Sequence, residues 1–380
     1  MSEMKADDRA YLQALERVIE RVIAPQAGEI DRTGQFPSQG IQGLREAGLL
    51  GLISSPEVGG MGFGFRQVCQ VIERTAQECA STAMVLMMHY AATTVIEAHG
   101  PLEIRTAAAQ GRHLSTLAFS EAGSRSHFWA PTSTARSVNG HVQLDARKKW
   151  VTSAGKADSY VWTSGTLGGE GESTLWLVPA DAPGLTIPEI FNGLGLRGNA
   201  SSPILAEGVM ISPAAMLGPD GGGFQIMMQT VLPIFQLMLA AVSIGIMEAA
   251  TRKSVMHVTD TRFEHQGYPL SSLPTIRAYL ARMRIKTDMA RSLLSDSVDA
   301  LENNREDALL RVLEVKAAAG ETATEVTDLA MRVCGGAAFS KEVGVERHFR
   351  DSRAGTVMAP TTDVLYDFIG RVICGMPLFD

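Results

Sequence analysis

His141-Val-Gln-Leu-Asp-Ala146, Ser159-Tyr-Val-Trp-Thr-Ser164, Ser173-Thr-Leu-Trp-Leu-Val-Pro-Ala180, Leu185-Thr-Ile-Pro-Glu-Ile190 and Ile204-Leu-Ala-Glu-Gly-Val-Met-Ile211 follow one another within residues 114–216. Each is a short run, alternating or rich in β-branched and aromatic residues, and clusters of Gly, Pro, Asn and Ser separate them. That texture predicts the strands of an antiparallel β unit. Ser137-Val-Asn-Gly140 predicts a tight hairpin at its start.

On both sides of this stretch the period changes. Upstream, Leu12, Leu15, Val18, Ile19, Val22 and Ile23 recur at helical spacing, as do Ile41, Leu44, Leu49 and Leu50. A Gly-rich break, Pro56 to Phe65, precedes a second apolar helix read through Val68–Val71 and Met84–Met88. Downstream, helical patterns cover 224–261, 272–303, 306–334 and 361–374. The expected fold class is therefore α+β. An N-terminal helical domain (1–113) leads into a central antiparallel β-barrel or sandwich (114–218), then a C-terminal four-helix bundle (219–380).

Composition is that of a globular chain: 380 residues, 45% hydrophobic, 20% charged, net charge -7. No basic stripe with interleaved aromatics is present, so nucleic acid is not an expected partner. Cys69, Cys79, Cys334 and Cys374 are scattered among apolar neighbours without C-x-x-C pairing and read as buried hydrophobes in a reduced, cytoplasmic protein. The charged, amphipathic N-terminus carries no apolar signal core. Val231–Ala249 approaches the length of a membrane span, but Pro233, Gln236, Ser243 and Glu248 interrupt it, and a buried core helix is expected.

Five segments then appear in order. They are Gly43-Leu-Arg-Glu-Ala-Gly-Leu-Leu-Gly51 with Pro56-Glu-Val-Gly-Gly60; Ser120-Glu121 with Ala122-Gly123-Ser124; Lys149-Trp150-Val151-Thr152-Ser153; Leu194-Gly-Leu-Arg-Gly198; and Arg332-Val-Cys-Gly-Gly336 with Arg347-His-Phe-Arg-Asp-Ser-Arg353. Together they resemble the signatures of the acyl-CoA dehydrogenase superfamily across essentially the whole chain. Taken singly each has a duller reading, since a strand Trp is usually core and a Gly-Gly after a helix is usually a cap.

The resemblance implies FAD, with FMN or a reduced flavin as alternatives. It implies an isoalloxazine ring against Trp150, hydroxyl contacts from Ser120, Ser124, Thr152 and Ser153, and a further contact from Thr361. Arg262 and Phe263 would serve the adenine side, although the R-x-x-F-G segment survives only as Arg262-Phe263-Glu-His-Gln-Gly267. Gly335 and Gly336 would let backbone approach the diphosphate of a neighbouring subunit. Trp150 and Thr152, two apart on one strand, are expected on the same face. Met84, Met87, Met88, Phe235, Gln236 and Met358 are read as an apolar, adaptable substrate pocket.

The departures are equally specific. The glutamate base of the family's Y-E-G-T segment is replaced in Met358-Ala359-Pro360-Thr361, where Ala359 cannot accept a proton. The alternative base position, on the long buried helix, falls at Phe235 or Gln236. The glutamate-containing loop has lost its Pro, and Arg125 replaces an expected Asp. Catalytic residues are thus unassigned, with His89 and Asp363 as candidates, and no metal site is expected.

Two readings follow. One is oxidation of an apolar acyl thioester, on coenzyme A or an acyl carrier protein, with electron-transfer flavoprotein as acceptor. The other is a reduced-flavin monooxygenase of a small organosulfur compound or amine, served by a flavin reductase. Pro233-Ile-Phe-Gln-Leu237 and Ser126-His127 resemble that second branch, but its C-terminal catalytic histidine would fall at Met358. A catalytically idle binding protein is a third possibility. A homotetramer is expected from the apolar faces of the C-terminal helices.

Overall fold

The computed structural model describes residues 7–124, 127–265 and 267–379. Arg125, Ser126 and Gln266, named above, lie outside the described residues. Two compact units are formed. The first runs to Val71 and takes in Met84–Asn192 and Arg197–Phe235; the second holds Ile72–Ala83, Gly193–Leu196 and the chain from Gln236 onward.

In the first unit, helical turns run from Asp7–Val18 through Ile19–Ile23 to Ala24–Thr33, and Ser38–Glu46 follows. Leu15, Ile19, Ile23, Ile30 and Leu44 form their buried face, and the first three recur at helical spacing. The apolar helix expected through residues 68–88 is two helices, Phe65–Glu78 and Ala80–His99, interrupted at Cys79. Ala80–His99 has no polar face, and Met84, Met87, Tyr90 and Val95 are fully enclosed.

Among the described residues eight strands complete this unit: β1 Ser115–Ala118, β2 Thr134–Val138, β3 His141–Val151, β4 Ser159–Ser164, β5 Thr174–Pro179, β6 Leu185–Thr186, β7 Ser202–Ile211 and β8 Met216–Leu217. They form two four-stranded sheets, ordered β1-β4-β5-β8 and β2-β3-β7-β6. The β2–β3 hairpin turns at Asn139 and Gly140, both with positive φ, as a two-residue turn matched to strand twist requires. The expected antiparallel pairing needs one correction. β1 and β4 pair in parallel, because the intervening β2–β3 hairpin belongs to the other sheet and the chain re-enters in the same direction. Between the sheets lie Trp162 and Trp176, paired in register and fully buried, with Tyr160, Leu144, Val178 and Val209. Each tryptophan contributes ~5 kcal/mol of apolar transfer on burying roughly 200 Å².

The second unit is helical, built on Leu232–Asp260, Pro274–Glu302, Ala308–Cys334 and Thr362–Ile373. The run Gly223–Asp260 is apolar enough to cross a membrane, yet 83% of its apolar window is buried inside the protein, which marks it as a core helix. Gly245 shows how closely it packs, since a Cβ there would lie 2.4 Å from the Glu73 carbonyl oxygen. Arg291 bridges Glu73 and Glu248 at 2.9 and 2.8 Å and ties three helical segments together. Of the four cysteines, all free, Cys374 is exposed at a helix C-terminus rather than buried.

Candidate functional site

The end of β3 is built by an irregularity. Residues 142, 144, 146 and 148 alternate inward, and the pairing with β7 then slips between Lys148 and Val151. Trp150 sits in that bulge at φ 58° and is 67% exposed, an unusual position for so large an apolar group. Thr152, just past the strand, is only 2% exposed and its hydroxyl lies 3.0 Å from Ser201 Oγ. The two do not share a face as expected, because the inserted residue breaks the two-residue period. Ser153, also buried and at φ 61°, donates its N–H to the Asn199 carbonyl at 2.9 Å.

The loop Ser120–Ser124 is held beside this bulge. Lys149 N–H donates to Ser120 O at 2.9 Å and Ala122 N–H to Arg147 O at 3.1 Å, while Ser124 Oγ donates to Glu121 O at 3.2 Å. Beneath them Glu121 and Lys148 form an ion pair with side chains 1% and 0% exposed. Glu121 also accepts from the N–H and hydroxyl groups of both Thr132 and Ser133. Lys148 donates to Thr163 O and Oγ1 at 2.7 and 2.8 Å and lies 4.9 Å above the Trp162 ring. Burial pulls the Lys148 ammonium down to about 8 against the pull of Glu121. For Glu121, burial raises the carboxyl, but Lys148 and the donated hydrogen bonds outweigh it and hold it below its ordinary value.

The structure thus brings Ser120, Ser124, Trp150, Thr152 and Ser153 to one edge of the β unit. Gly123, with φ 98° and nothing within 4 Å of a Cβ placed on it, leaves that edge open. An outward indole beside an open loop carrying hydroxyls and N–H groups fits a planar, hydrogen-bonding ring. Lys148 was missed in sequence, where Lys149 drew attention. The available signal was its phase, since Lys148 alternates with Val142 and Leu144 and so had to be buried and paired. Asn199 and Ser201 carried no signal.

In the second unit, Thr361 caps the helix Thr362–Ile373, its hydroxyl accepting from Val364 N–H at 3.5 Å. Met358 and Ala359 are partly buried. Gly335 ends the helix Ala308–Cys334 at φ 58°, ψ −137°. A Cβ placed on Gly335 or Gly336 would meet no atom within 4 Å, so backbone there is open to approach. Arg262 is exposed and its guanidinium donates to Gly267 O at 3.2 Å, while Phe263 packs edge-on to Tyr268. Gln236 is fully buried with neither amide atom hydrogen-bonded; Phe235, its neighbour on the same helix, is half-buried.

Neither base candidate has the surroundings of a base. His89 is fully buried; Nε2 donates to Leu50 O at 3.1 Å and Nδ1 accepts from Ser115 N–H at 3.2 Å, so no lone pair is spare. Burial lowers its ring to about 4. Asp363 is exposed in the first turn of Thr362–Ile373, where its charge complements the helix dipole.

Comparison with known proteins agrees with this frame. Family models for the N-terminal, middle and C-terminal domains of acyl-CoA dehydrogenase match residues 5–110, 116–209 and 221–374. A probable acyl-CoA dehydrogenase of Bacillus subtilis, YngJ, is 28% identical over 97% of this chain and 98% of its own. The human mitochondrial short-chain specific acyl-CoA dehydrogenase is 29% identical over 95% of this chain and 89% of its own. Butyryl-CoA dehydrogenase from Megasphaera elsdenii has the same fold, with a TM-score of 0.91 at 22% identity over 98% of this chain and 100% of that one. With three domain models matched in order along its length, the chain belongs to the acyl-CoA dehydrogenase family of flavin-dependent oxidoreductases.

Proposed function

We propose that this protein binds FAD against Trp150 and oxidises an apolar acyl thioester without a carboxylate base of its own. The observation that carries the reading is the bulge at the end of β3, which holds a large indole out at 67% exposure beside the Ser120–Ser124 loop. FAD, when bound, supplies a two-electron acceptor for a hydride. The residues present do the rest: Trp150 offers the stacking face, and the Ser120–Ser124 loop and Ser153 orient by hydrogen bonds, whereas Met84, Met87 and Met88, expected as pocket surface, are buried in the core of their own unit.

Among the candidate residues only Asp363 is a carboxylate, and it is exposed in the first turn of its helix. Ala359 has no titratable group, Gln236 is an amide, and both ring nitrogens of His89 are occupied. Loss of a general base costs roughly 10² to 10⁴-fold, so thioester oxidation is expected to be slow. That same absence favours a second reading, a reduced-flavin monooxygenase of a small organosulfur or amine substrate, for which a dry pocket matters more than a base. Electron-transfer flavoprotein would be the partner in the first reading and a flavin reductase in the second. A cytoplasmic homotetramer is the assembly we infer, since Ile285 and Met289 leave an apolar stripe exposed on Pro274–Glu302.

The test is the oxidised flavin band during anaerobic addition of acyl-CoAs of increasing chain length. Bleaching supports thioester oxidation. An unbleached band, with substrate oxygenated only when flavin reductase and NADH are supplied, supports the second reading. A protein that takes up neither FAD nor FMN would sink both.

A further inference from the structure

Lys316 stands in the middle of Val312-Leu-Glu-Val-Lys-Ala-Ala-Ala-Gly320, on a helix whose neighbouring positions are apolar. It is 1% exposed. Its ammonium donates to Met358 O at 2.8 Å and also to Pro360 O. These two carbonyls flank Ala359, so the backbone on both sides of residue 359 is gathered onto one nitrogen. The contact is one end of a longer seam. One turn further along the helix, a Cβ on Gly320 would meet Gly355 O at 3.0 Å, so helix and segment stay close from residue 355 to residue 360.

A buried ammonium with no carboxylate beside it among the described residues is costly, and burial draws Lys316 down to about 7. An apolar side chain of similar length would fill the same space without that cost. What the ammonium does that methionine cannot is donate to two carbonyls at once and hold the intervening residue in one backbone conformation.

We propose that Lys316 is a positioning residue, clamping the Met358–Pro360 backbone so that residue 359 is presented to the substrate in a single orientation. This rests on the reading that the 358–361 segment borders the substrate. A misplacement of about 1 Å in such a segment costs on the order of 100-fold in turnover.

The test uses the full-length FAD-loaded protein and three variants, K316M, K316R and A359E, with butyryl-CoA as probe and an artificial electron acceptor. Hydrogen exchange of the peptide spanning 355–365 is expected to rise at least about tenfold in K316M while peptides of Pro274–Glu302 stay unchanged, and to return to the parent rate in K316R, which keeps the donors. In the A359E background, where the new carboxylate would supply a base for the thioester's proton, adding K316M is expected to lower kcat by on the order of 100-fold with KM changed little. K316R is expected to restore it. Unchanged exchange in K316M, exchange raised equally throughout the chain, or failure of K316R to restore protection would each overturn the clamp. An A359E protein that stays inactive while exchange still depends on Lys316 would overturn the substrate-facing reading and support the clamp.

Discussion

A histidine can take a proton only through a ring nitrogen with a free lone pair, and in His89 one nitrogen already donates to Leu50 O while the other accepts from Ser115 N–H. Its folded-state value of about 4 lies below the unfolded 6.5, so folding favours the neutral ring. The contribution is complete above 6.5 and is lost as pH falls from 6.5 toward 4, by about 2 kcal/mol at pH 5. Urea titrations at pH 7 and pH 5 should show that loss in the parent and a smaller one in His89→Gln, and the flavin response to acyl-CoAs should be unaltered in the variant. Trp150 is the opposite case. Being mostly exposed, Trp150→Ala should change folding stability by no more than about 0.5 kcal/mol. Removal of ~1 kcal/mol of stacking should weaken FAD binding by roughly three- to tenfold, measured by fluorescence titration of the apoprotein. His89 could be noticed from its place after the Met run. Its two backbone partners, 39 and 26 residues away, could not, because only the tertiary fold brings Leu50 and Ser115 to it.

At the scale of elements, the strand–loop junction under Trp150 depends on the Glu121–Lys148 pair. Breaking a buried pair by removing one charge leaves the other uncompensated, at roughly 3–5 kcal/mol. Glu121→Gln and Lys148→Met should each approach that loss, and the double variant should lose less than the sum, measured by guanidinium unfolding. Because Glu121 is held below its ordinary 4.5, its contribution is present above about that pH and disappears as pH falls through the folded-state value. The strands themselves were legible: β3, β4, β5 and β7 fall on the alternating runs, and the Asn139-Gly140 turn on its signature. The bulge was not, since the slip between Lys148 and Val151 is decided by pairing with β7 some 50 residues later. β1 was hidden as well, because Ser115–Ala118 is buried on both faces and shows no alternation.

For the whole molecule, the order of helices, strands and helices, together with five short motifs, was enough to reach the family, and each long C-terminal helix starts and ends within a few residues of the periodic segment that announced it, save Leu232–Asp260, whose first turns are counted as separate short helices. The proposal that the usual glutamate is replaced rests on a single position, Ala359. What surrounds that position was not legible, because Lys316 reaches it from 42 and 44 residues away. Sedimentation of the FAD-loaded protein should give a tetramer; a flavin-bearing monomer would contradict the assembly inferred above.

The central claim is a flavin resting on Trp150 in a site with no protein carboxylate to remove a proton. Its most direct test is the rate at which butyryl-CoA bleaches the anaerobic flavin band in the parent protein and in Ala359→Glu. The account predicts slow bleaching in the parent and a rate at least about 100-fold higher in the variant. Equal and fast bleaching in both proteins would show that a base is already in place and contradict it.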